Sequence, residues 1–129
     1  MNDKEYAKQK KRVQKYLDKW CKPMGLEWFH VTMEWFRERN YDEPTTVAIT
    51  TTTWQYRHTV IKWYVPACED NDDDFLENIV VHELVHVLIA PLVNVNNEKE
   101  LPLQHEYATE CLSRALLWVR EAGQNDPKK

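Results

Sequence analysis

The stretch Ile79-Val80-Val81-His82-Glu83-Leu84-Val85-His86-Val87-Leu88 decides how the rest of the chain is read. Apart from His82, Glu83 and His86, every residue in it is apolar and uncharged, which marks a helix buried in a core; a chance match on a surface helix would carry charges. On a helix, positions i and i+4 face the same way, so both imidazoles can approach one ion from a single turn. Neutral imidazole nitrogens bind Zn²⁺ at about 2.0–2.1 Å, and a catalytic zinc takes three protein ligands and leaves a fourth position for water. Glu83, beside His82, is then free to act as general base on a metal-activated water. The competing reading is a pair of ordinary core histidines beside a solvated carboxylate.

Working outward, the helix is expected from Phe75 to Ile89. Asp70, Asp72, Asp73 and Asp74 precede it, and Asp74 with Glu77 resembles a capping box. Pro91 should stop it, Asn94 to Glu100 reads as polar loop, and Pro102 suits the first turn of a final helix ending near Gly123. Upstream, Tyr6, Val13, Tyr16, Leu17 and Trp20 recur at helical spacing across residues 3–20. Leu26 to Arg37 reads as a strand, and Thr45 to Gln55 with His58 to Val65 as an antiparallel pair reversing at Gln55-Tyr56-Arg57. The chain shows no internal repeats. The expected class is α+β, one domain over residues 1–129 with an N-terminal helix, a small and mostly antiparallel sheet, and two C-terminal helices, residues 1–3 and 124–129 being frayed.

Composition supports a folded chain. Six Trp, six Tyr and three Phe supply a core within 129 residues, and two Gly and six Pro do not make a linker. A net charge of −4, from 21 acidic and 17 basic side chains, announces no polyanionic partner. Cys21, Cys68 and Cys111 are widely spaced and odd in number, which indicates neither a disulfide framework nor a cysteine zinc site and fits a reducing, cytoplasmic compartment. Neither a signal peptide nor an apolar run of about 20 residues is visible, so no membrane association is expected. Lys4, Lys8, Lys10, Lys11, Arg12, Lys15 and Lys19 make the first helix basic; a solvated face is the expectation, ahead of nucleic-acid binding.

Residues 79–88 resemble the H-E-x-x-H helix of the zincin metallopeptidases. The metzincin branch would need Gly and His where Ile89 and Leu92 stand, and the G-T-x-D signature of aspzincins is missing. The remainder resembles a gluzincin, in which a glutamate on the following helix is the third ligand and an acidic residue one turn later supports a ligand histidine. Glu106 and Glu110 match that E-x-x-x-[DE] pattern, although the family more often has Asp at the second position. The outline as a whole resembles minimal gluzincin-like proteins of phage and bacterial genomes. The resemblance implies a zincin-like minimal domain and a zinc peptidase acting on a peptide or protein substrate: Zn²⁺ on His82, His86 and Glu106, Glu83 as general base, and Glu110 behind a ligand histidine.

His105 is an alternative third ligand, and Glu98 and Glu100 are weaker ones in the expected loop. Solvated acids on an amphipathic helix, with Arg114 as ion partner, are the competing account of Glu106 and Glu110. His58 and Tyr107 are candidates for stabilising a tetrahedral intermediate. The resemblance also implies substrate lying along an edge strand just before the active-site helix, expected at His58 to Val65. A different class of function, a zinc-containing binding protein on the same scaffold that engages a host or cellular protein without catalysis, stands as the alternative. The sequence leaves the oligomeric state open.

Overall fold

The computed structural model describes residues 1–53, 56–95 and 101–124, and the side chains of all of these except 91–95 and 101–105. Its elements in order are α1 (Asp3–Trp20), a 3-10 turn (Leu26–Trp28), β1 (His30–Phe36), β2 (Ala48–Thr53), β3 (His58–Tyr64), the single turn α2 (Val65–Cys68), α3 (Asp73–Val95) and α4 (Leu101–Gln124). The class is α+β, four helices with one three-stranded sheet.

The sheet runs in the order β1-β3-β2, with β1 parallel and β2 antiparallel to β3. It is therefore mixed, not mostly antiparallel, and β3 is its central strand, not the edge strand expected from the sequence. Residues 37–47 carry the chain past the end of β3. Arg39 fixes this passage by donating to the Pro44 and Pro66 carbonyls and, with both terminal nitrogens, to Asp70.

Alternation along the strands sends one set of side chains toward the helices. The rows Trp35–Trp63–Ala48, Met33–Ile61–Thr50 and Val31–Thr59–Thr52 cross all three strands by register. The Trp35 and Trp63 rings stack with centroids 6.0 Å apart, and Trp63 Nε1 donates to Met33 Sδ. These rows meet Val13, Leu17 and Trp20 of α1 and Leu76, Val80, Val81, Leu84 and Val87 of α3 in one buried core. Fully burying a Leu or Val contributes about 1.5–3 kcal/mol, so the apolar run around the His-Glu pair is what holds α3 in place.

Local details correct several expectations. Asn2 caps α1 by accepting from the Glu5 N–H, and the helix begins at Asp3. Gly25 takes a positive φ of 74° ahead of the 3-10 turn, and the first strand begins at His30 instead of Leu26. Asp72, not Asp74, caps α3: its Oδ1 accepts from the Phe75 N–H and its carbonyl from the Leu76 N–H. Glu77 serves instead as a tie to α1, accepting from Trp20 Nε1 at 2.8 Å and pairing with Lys19 Nζ at 2.7 Å. Finally, α3 continues through Pro91 to Val95. Proline has no N–H to offer the carbonyl one turn back, but the packed turns before it carry the helix on.

Candidate metal centre

The expected pair His82 and His86 lies on the stretch of α3 that faces α4, with ring centroids 4.8 Å apart. Glu106 of α4 reaches both: its Oε2 is 3.0 Å from His82 Nε2 and its Oε1 is 3.0 Å from His86 Nε2. One ligand atom from each of the three residues falls within 4.8 Å of the others, so the group could hold a metal ion. Both histidines are largely buried, while Glu106 is 56% exposed and closes the group from the solvent side.

Glu110 stands one turn after Glu106, and its Oε2 accepts from His82 Nδ1 at 2.9 Å. With a metal on Nε2 that contact would hold the proton on Nδ1, the tautomer a metal ligand needs; without one, Nε2 lies 3.0 Å from Glu106 Oε2. The other oxygen, Oε1, accepts from Asn78 Nδ2 and pairs with Arg114 Nε at 2.8 Å. Partial burial raises the Glu110 pKa, but the bonds from His82 and Asn78 and the nearby His82 and Arg114 charges outweigh it and hold the carboxyl below its ordinary value. Glu110 thus touches both Arg114 and His82.

Glu83 turns the other way, toward β2. It is buried, and its Oε2 accepts from Thr50 Oγ1 at 2.7 Å. Burial pushes its carboxyl up to about 7, against the opposing pull of the Thr50 hydrogen bond and His82. A cleft of about 550 Å³ opens between β2 and the helices, lined by Ala48 to Thr52, Glu83, His86 and Glu106. The Tyr64 N–H bonds the Val47 carbonyl, so antiparallel alternation directs the backbone groups of Ala48, Thr50 and Thr52 away from β3, to the free edge of the sheet.

Other expected residues are not brought to this cleft. His58 begins β3, exposed and opposite His30 and Thr53, and Tyr107 is exposed on α4; neither lines the cleft. The side chain of His105, and Glu98 and Glu100 entirely, lie outside the described residues. Sequence reasoning missed Thr50 as partner of Glu83 and Asn78 as partner of Glu110. Asn78 could have been found, since it sits one turn before His82; Thr50 could not, because nothing local to Thr50-Thr51-Thr52-Thr53 says which threonine meets the helix.

Compared with known protein families, curated proteins and solved structures, the chain matches none.

Proposed function

We propose that this protein is a zinc-dependent peptidase of the gluzincin type, with His82, His86 and Glu106 holding the metal. The single observation that carries this reading is the closure of Glu106 onto both histidine Nε2 atoms while Glu83, between them in sequence, is held apart on the β2 side. A bound Zn²⁺ would supply Lewis acidity, lowering the pKa of a water and polarising the scissile carbonyl.

The chain's residues do the rest. Glu83 Oε2 is fixed by the Thr50 hydroxyl, so Oε1 is the atom that takes a proton from the attacking water and returns it to the leaving nitrogen. Glu110 keeps His82 in the required tautomer. The free backbone edge of Ala48, Thr50 and Thr52 lies along the cleft and can pair with an extended peptide as an added strand, the role expected of an edge strand and here belonging to β2.

The test is Glu83→Gln. It should retain zinc and fold while peptide hydrolysis falls by about 10²–10⁴-fold, the usual share of a general base. Unchanged hydrolysis would remove Glu83 from the mechanism. A partner-binding activity that survives the substitution intact, with no hydrolysis in either protein, would favour the binding-protein alternative.

A further inference from the structure

Helix α4 is apolar on two sides. One side packs on the protein through Thr109, Ser113, Leu116 and Leu117. The opposite side, turned to solvent, shows Tyr107, Cys111, Leu112, Trp118 and Val119, and the turns between them are filled by Ala108, Ala115 and Ala122. Charged side chains flank this face at Arg114 and Glu121 without entering it. The same chain treats a solvated helix face very differently in α1, where Lys4, Lys8, Lys11 and Lys15 form the stripe opposite the buried residues.

The exposed area is large. Tyr107 is 75%, Trp118 66%, Val119 71% and Leu112 45% exposed. With aromatic side chains each offering about 150–250 Å², these four alone present roughly 500 Å², as much as the largest apolar patch of a typical monomer. Adding Cys111 and the three alanines brings the face to roughly 700–800 Å², one partner's share of a standard stable interface.

The spacing identifies the occupant. Ala108, Leu112, Ala115, Val119 and Ala122 follow the alternating four-and-three step of a heptad seam. The pattern is also symmetric about Ala115. When the helix is laid antiparallel on a copy of itself, Ala115 faces Ala115, Leu112 faces Trp118, Cys111 faces Val119 and Ala108 faces Ala122. Apart from Tyr107, whose counterpart is Gly123, each of these side chains meets another, and the small alanines at and around the axis allow close helix packing. A membrane surface fits less well, because interfacial helices border their apolar face with Lys and Arg, and here the border is one Arg114 and one Glu121.

We propose that α4 is the contact face of an isologous homodimer, two copies of this chain packing α4 antiparallel on α4 about a two-fold axis at Ala115. The contact does not depend on metal, so it is independent of the zinc reading. The test is sedimentation or light-scattering mass of the full chain in chelator across a wide concentration range. Twice the 15.5 kDa chain mass is expected, returning to one chain mass in Ala115→Glu, which sets two carboxylates against each other on the axis. Ala115→Cys in a Cys111→Ser background should form a disulfide-linked dimer on mild oxidation, since only contact at the axis brings the two Cα atoms into disulfide range. A single-chain mass throughout, a dimer that persists in a folded Ala115→Glu, or failure of Ala115→Cys to cross-link would each overturn the proposal.

Discussion

At the scale of single residues, His82 is the most constrained group in the site, because both of its ring nitrogens face carboxylates. Glu110→Gln leaves an amide that can still bond Nδ1–H but carries no charge, so zinc affinity should fall by about 10–100-fold, read by competition with a chromophoric chelator. Arg114→Ala, which touches only the far oxygen of Glu110, should move it much less. Glu83 makes a second prediction, for the metal-free protein. Its folded pKa of about 7 lies above the ordinary 4.5, so the folded state binds this proton more tightly than the unfolded one. The resulting penalty is absent below the unfolded value, grows as pH rises between the two, and is complete above about 7. Glu83→Gln in chelator should therefore be more stable than the parent at pH 8, by up to about 3 kcal/mol, and no more stable at acid pH, as measured by urea denaturation. A stabilisation equal at both pH values would contradict the buried-carboxylate account.

At the scale of elements, Arg12 shows how a residue assigned to a solvated basic face can be structural. It donates to Gln9, to the Cys68 and Asn71 carbonyls and to Asp73, joining α1 to the start of α3. Arg12→Ala should cost about 2–3 kcal/mol in chemical denaturation, as charge-assisted bonds to buried carbonyls do, while Lys8→Ala should stay within about 0.5 kcal/mol. Local periodicity made α1, α3 and α4 legible, one-turn spacing made His82 and His86 a pair, and Glu106 and Glu110 were singled out by the gluzincin resemblance. Strand order was not legible, because alternation reports which face of a strand is buried and is silent on its neighbours. Hence β3, expected at an edge, lies at the centre, and the parallel pairing of β1 is not visible in the sequence. The α3 cap was displaced from Asp74 to Asp72 for a similar reason. All four acids of that cluster can cap a helix, and the choice is made by Glu77 turning to Trp20 and Lys19, and Asp73 to Arg12.

At the scale of the whole molecule, the fold is a device for bringing two distant segments to one point. The core shared by α1, α3 and the sheet fixes the histidine-bearing turns, and α4 returns along α3 to carry Glu106 and Glu110 to the same place. The central claim is that this point is a three-residue zinc site, and the most direct measurement is native mass spectrometry of the full chain titrated with Zn²⁺ beside its Glu106→Ala variant. One zinc per chain in the parent, held much more weakly in the variant, is the predicted result. No zinc bound by the parent, or zinc bound equally by both, would contradict the account.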